Sequence, residues 1–117
     1  MNQTNSPRSE PPVIIDLARD FGPFPFGRYR NQGRFSGQAF REDVLEVALN
    51  KHPCANITVI LDNAKGLGSS FLDEAFGGLA RARSWTLSDF LARFSIVSKS
   101  DPSLVMEIEH YVREAQE

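Results

Sequence analysis

Apolar residues along the chain fall into blocks of two different periods, and the alternation of those blocks predicts the architecture. Val13-Ile14-Ile15-Asp16-Leu17 is a short β-rich run and reads as a first strand. Phe21 to Gly27 holds two prolines and two glycines in seven residues, which forbids regular helix and predicts a loop. Arg28 to Phe35 sets aromatics around Asn31-Gln32-Gly33 and predicts a hairpin turning near Asn31 and Gly33. From Ser36, an N-cap residue type, the period lengthens. Phe40, Val44, Val47 and Ala48 recur at helical spacing, Leu45 and Leu49 widen the stripe, and Asn50-Lys51-His52-Pro53 ends the helix. Asn56 to Leu61 is β-branched and apolar on both faces, the pattern of a central strand covered on both sides.

The second half repeats the alternation. Gly66 and Gly68 bracket a loop, and Ser69 or Ser70 opens the next helix, with Ser70-Phe-Leu-Asp73 as a variant of the capping box. Phe71, Leu72, Ala75, Phe76 and Leu79 form its apolar face. Gly77-Gly78 inside that helix costs about 1 kcal/mol per glycine relative to alanine, so close packing of backbone on backbone is expected there. Thr86-Leu-Ser-Asp89 caps a short helix through Leu91, Phe94 to Val97 is a further strand, and Asp101 with Pro102 starts a last helix striped by Leu104, Val105, Ile108, Tyr111 and Val112. Strands alternating with helices predict an α/β sandwich of about four strands, a mixed but mostly parallel sheet flanked by helices.

Composition narrows the classes of function. A chain of 117 residues supports one domain, read as 13–117 behind a disordered lead-in over 1–12. A net charge of −2 is too near neutral for a dedicated nucleic-acid binder or a polybasic membrane protein. The lone Cys54 fits a reducing cytoplasm, no apolar run is long enough to cross a bilayer, and the N-terminus lacks the apolar core of a signal peptide. Charge is nevertheless uneven: residues 1–41 carry six arginines against three acids.

Among residues that carry chemistry, Ser69 and Ser70 stand first. Hydroxyls at a helix start lie beside unpaired N–H groups and the positive end of the helix dipole, a place suited to modification or to contact with a partner. A simple cap is the plainer reading of the same residues. Gly66-Leu67-Gly68 lacks the fingerprint and the lysine of a phosphate-binding loop and reads as a tight turn. Arg28, Arg30, Arg34 and Arg41 interleave with Phe26, Tyr29 and Phe35. They suit an acidic partner surface first and nucleic acid second, unless Glu42, Asp43 and Asp73 pair with them. Asp73 and Glu74 are placed as helix-dipole acids rather than as a catalytic or metal-binding pair. No spacing of Cys, His and acids fits zinc, and Ser69, His52 and Asp62 do not make a nucleophile elbow, so no cofactor, metal or enzymatic activity is expected. Trp85 reads as the edge of the core.

These residues also carry a resemblance. Val59-Ile-Leu-Asp62 followed by Leu67-Gly-Ser-Ser-Phe-Leu72 resembles the strand, loop and helix start of STAS-type domains, the fold of bacterial anti-sigma-factor antagonists. Ser69-Ser-Phe-Leu-Asp-Glu-Ala-Phe-Gly77, with Pro25 to Tyr29 and Phe40 to Glu42, is similar to a STAS-like family of uncharacterised bacterial domains over about residues 13 to 115. The resemblance implies a non-enzymatic signalling module that docks a protein partner, an anti-sigma factor or a histidine-kinase-like ATPase, through Gly68, Ser69, Ser70, Phe71 and Asp73. Arg28, Arg30 and Arg34 would form a second contact. In the antagonists the first serine of the pair is phosphorylated, which by position is Ser69. Gly68 and Phe71 stand where the antagonists have Asp and Gly.

Overall fold

The computed structural model describes residues 10–116, and most of the lead-in assigned to 1–12 lies outside them. Strand β1 (Val13–Asp16) passes directly into a one-turn helix, α1 (Leu17–Asp20), capped by the Asp16 carboxylate, which accepts from Arg19 N at 3.3 Å. Helix α2 spans 37–51, β2 is Ile57–Ile60, helix α3 spans 69–83, and α4 is Leu87–Arg93. Strand β3 (Phe94–Val97) and α5 (Ser103–Glu114) complete the described chain. Among the described residues the sheet has three strands in the order β1-β2-β3, and both pairings are parallel. The expected α/β sandwich with a mostly parallel sheet flanked by helices is present; a fourth strand and an antiparallel pairing are not found among the described residues. The region 28–35 is no hairpin: it turns through a single 3-10 turn, Arg30–Gln32, because the Gln32 side-chain oxygen accepts from the backbone of both Arg28 and Tyr29. That local bond replaces the strand ladder a hairpin requires.

β2 is central, as its apolar pattern implies, but one face is far better covered than the other. Ile15, Ile57, Val59 and Phe94 are buried against the helices, whereas Ile14 on the opposite face is 58% exposed and Thr58, Ile60 and Val97 are half-buried. The buried face meets a line of aromatic rings running Phe35–Phe21–Phe40–Phe76–Phe90–Phe94, each neighbouring pair with centroids 5.1 to 6.2 Å apart. Such spacings suit edge-on and offset ring packing. Trp85 sits at the rim of this core beside Phe94, as read.

Both long helices contain a central π turn, Arg41–Leu45 in α2 and Asp73–Gly77 in α3. A π turn carries its hydrogen bond from i to i+5, so residues five apart share a face. Hence Phe40 and Leu45 are both fully buried, while Val47, which strict helical spacing would bury, is 44% exposed. In α3 the same offset aligns Phe71 with Phe76. Caps agree in part with expectation. Ser36 Oγ accepts from Ala39 N at 3.1 Å, and Thr86 and Asp89 make a full capping box. Helix α4 runs two residues past Leu91. Asp101 Oδ1 accepts from Ser103 N at 3.2 Å, the first residue of α5.

Backbone-on-backbone packing falls at Gly37 rather than at Gly77-Gly78. A Cβ on Gly37 would lie 2.5 Å from the Phe71 carbonyl oxygen, a backbone atom unable to move alone. Gly77 and Gly78 instead make room for side chains, those of Asp73, Tyr111 and Arg41. Gly37→Ala is therefore expected to destabilise the fold by about 1–3 kcal/mol through overpacking. Urea unfolding would show this as a lower midpoint at unchanged slope.

Candidate functional site

Parallel strands place all three βα loops at one edge of the sheet, the carboxyl ends of the strands, where open α/β sheets form their crevices. Residues 21–36 follow β1, residues 61–68 follow β2, and residues 98–102 follow β3. They are tied together by backbone. Lys65 N donates to the Pro23 carbonyl at 2.8 Å, and the Asp62 carboxylate accepts from Ser100 N at 2.7 Å. Gly66 turns the middle loop with φ +66°, a conformation that disfavours residues with a Cβ. The result is a cleft of about 360 Å³ lined by Pro25, Phe26, Gly27, Arg28, Gln32, Gly66, Gly68, Ser69, Ser70 and Phe71. Two segments distant in sequence, 25–28 and 68–71, thus become its two walls.

The serines are exposed at the mouth, but neither caps the helix. Gly68 is the N-cap, in extended conformation with φ −93° and ψ 163°, and no side chain bonds the first turn. The Ser70–Asp73 capping box is thereby corrected, because Asp73 has other partners. Arg28 Nη1 donates to Asp73 Oδ2 at 2.9 Å, and Arg81 Nη1 donates to Asp73 Oδ1 at 3.3 Å. Ser69 faces α5. The Tyr111 hydroxyl donates to Glu107 at 2.6 Å, which raises the phenol above its ordinary pKa, while the neighbouring Ser69 hydroxyl acts in the opposite direction.

Of the docking residues inferred from sequence, Gly68, Ser69 and Ser70 are open, whereas Phe71 is a core residue, 1% exposed. Its ring packs between Phe21 and Phe40 and is unable to meet a partner. The arginines divide similarly. Arg30 reaches both Glu42 at 2.9 Å and Asp43 at 2.8 Å, and Arg28 is bound to Asp73. These are the pairings that compete with the reading of a free basic face. Arg34 stacks over Phe35 at 5.1 Å, and neither it nor Lys65 forms an ion pair among the described residues. Glu74 is buried, with Arg41 donating at 2.9 Å and with Arg28 and Arg81 at 3.7 and 3.8 Å. His52 ends α2 ahead of β2, at the opposite edge of the sheet from Ser69, so the imagined triad is dispersed.

Sequence reasoning did not count Phe24 or Phe26 among the contact residues.

 The rings of Phe24 and Phe26 are 69% and 70% exposed on either side of the buried Pro25, and Tyr29 is 50% exposed. The signal was present as aromatics alternating with prolines in a segment, 21–41, that contains no acid.

With this geometry in place, the chain can be assigned to a class. A family model described as a STAS-like domain of unknown function (DUF4325) matches residues 36–104, more than half of the chain, and the protein belongs to that family. The match takes in α2, β2, the serine pair, α3, α4 and β3, and leaves out β1 and the Pro25–Tyr29 segment. No curated protein and no solved structure is significantly similar to it. No helix among the described residues is long and apolar enough to cross a membrane.

Two predictions come from this geometry. A Cβ at Gly68 meets nothing within 4 Å, so Gly68→Asp supplies the missing cap without strain. It is expected to stabilise the fold by about 0.5–1 kcal/mol in urea unfolding. The second concerns acid. Backbone donation from Ser100 holds Asp62 below its ordinary pKa of 3.8, and hydrogen bonding from Arg30 holds Glu42 below 4.5. A carboxylate whose pKa is depressed by folding stabilises the native state above its unfolded pKa and loses that contribution as pH falls through the folded value. Stability is therefore expected to decline as pH drops below these ordinary values, and Asp62→Asn should flatten part of that decline without changing its sign.

Proposed function

We propose that this STAS-like domain is a non-enzymatic interaction module that docks a protein partner at the start of α3. The observation that carries the reading is the exposed Ser69-Ser70 pair on an uncapped helix start, at the mouth of the cleft between the 25–28 and 68–71 segments. The contact residues are Gly68, Ser69 and Ser70. Asp73, Arg28 and Arg30 are committed to internal ion pairs and serve to hold the walls of the cleft. By analogy with anti-sigma-factor antagonists, the partner is an anti-sigma factor or a histidine-kinase-like ATPase, and Ser69 is its phosphorylation site. A phosphate there gains the unpaired N–H groups and positive dipole end of a 15-residue helix (69–83), and it brings close to two negative charges to the docking face. The nucleic-acid reading of Arg28, Arg30 and Arg34 loses support, because two of the three guanidinium groups are already neutralised.

The test is affinity capture from the native host with wild type, Ser69→Ala and Ser69→Glu, followed by intact-mass measurement of the recovered domain. A partner kept by the Ala variant and lost from the Glu variant, or a phosphate mapped to Ser69, is the expected result. Equal capture by all three, with no added mass, would reduce Ser69 to a structural residue.

A further inference from the structure

The loop preceding the cleft combines two properties that rarely occur together: it is firmly held, and it turns aromatic rings to solvent. Its backbone is pinned at every side. Phe26 N donates to the Phe35 carbonyl, Gly37 N to Gly27, Gln38 N to Arg28, and Lys65 N to Pro23, all at 2.8 to 3.0 Å. The Arg28–Asp73 ion pair fastens it to α3, and the ring of Phe21 anchors it in the core. The exposed–buried–exposed sequence of Phe24, Pro25 and Phe26 turns both rings outward, and Phe26 lines the cleft directly. Rigid exposed aromatics lose little entropy on binding and are the residue type that anchors interfaces.

The segment that carries these rings contains charges of one sign, and the acids that approach it from α2 and α3 are paired with Arg28 and Arg30. No Asp or Glu occurs between Phe21 and Arg41. Lys65, bonded through its backbone to Pro23, and Arg34, next to Phe35, form no ion pair among the described residues. The open start of α3 adds partial positive charge on the other wall. From these features we infer that the 23–29 loop is the anchoring half of the docking face. Its occupant is an acidic segment of a partner protein bearing aliphatic or aromatic side chains, with Phe24 and Phe26 taking the apolar groups and Lys65 and Arg34 the carboxylates.

The same charges argue against two other occupants. A second copy docking the same patch would set two acid-free segments, each with its Lys65 and Arg34 unpaired among the described residues, against each other. A nucleic-acid strand would need a run of free cations, and Arg28 and Arg30 are taken. This inference rests on the reading of the α3 start as a docking site, but it concerns different residues and so fails separately.

The experiment is selection of short random peptides displayed against the full chain, followed by affinity measurement of the enriched peptides. Enrichment of Asp and Glu together with Leu, Ile, Phe or Trp is expected. Binding should weaken about ten-fold or more with Phe26→Ser or with Lys65→Glu. Phe26 is exposed, so circular dichroism of the Phe26→Ser variant should match wild type. Enrichment without acids, no enrichment, or affinities unmoved by both variants overturns the inference. Tight salt-sensitive binding of single-stranded oligo-dT, lost in Lys65→Glu, overturns it in favour of nucleic acid. Peptides weakened by Ser69→Glu but not by the loop variants leave the α3 docking site standing and remove its aromatic anchor. Peptides weakened by the loop variants but not by Ser69→Glu do the reverse.

Discussion

A carboxylate buried where two helices cross governs much of this structure. Glu74 lies in the π turn of α3 and is met at 2.9 Å by Arg41 from the π turn of α2. An unpaired charge in that position would be very costly, so the sequence must bring guanidinium groups to it. They come from three directions: Arg41 from α2, Arg28 from the loop after β1, and Arg81 from the next turns of α3. Gly78 leaves the space for Arg41, and Gly37 lets α2 close onto the Phe71 carbonyl. The pair need not be worth more than an apolar contact of equal volume. Its consequence is positional: it sets the rotation of α2 against α3 and the distance of the 21–36 loop from both.

The cleft inherits its shape from that cluster. Because Arg28 is drawn to Asp73 and Glu74, the loop carrying Pro25 and Phe26 is held opposite Gly68 and the serines. The aromatic line from Phe35 through Phe21 and Phe40 to Phe94 supports the same loop from beneath and connects it to the sheet. Charged residues that resemble a binding surface in the sequence are thus the frame of the site. The surface left exposed around the cleft consists of two hydroxyls, an open helix start, and the aromatic rings with their flanking cations.

Membership of a STAS-like family fits this division of labour. The matched residues contain the serine pair and the helix that presents it. The aromatic loop lies outside the matched range, so the match covers one wall of the cleft, residues 68–71, and not the other.

Local signals in the sequence were enough for β1, β2, β3 and the four longer helices, the central place of β2, the Ser36 cap and the Thr86–Asp89 box, but not for α1 or for the turn that stands in place of a hairpin at 28–35. Each of the legible features depends on residues within a few positions of one another, and short-range hydrogen bonding or periodicity expresses them directly. The serine pair and its helix start were legible for the same reason. Decisions that depended on distant partners were not. Whether Asp73 would cap its own helix or bind Arg28, 45 positions away, is a competition between a local and a remote partner. The π turn of α2 leaves Leu45 buried and Val47 exposed, and the cross-helix pair of Arg41 and Glu74 lies within the π turns of both helices. The fate of Phe24 and Phe26, outward beside an inward Phe21, was settled by which backbone groups the loop found across the sheet edge. The sequence by itself determined the three strands and the longer helices, whose signals are local. Only the tertiary structure decided which charges and rings remain free, since that depends on contacts made after those segments meet.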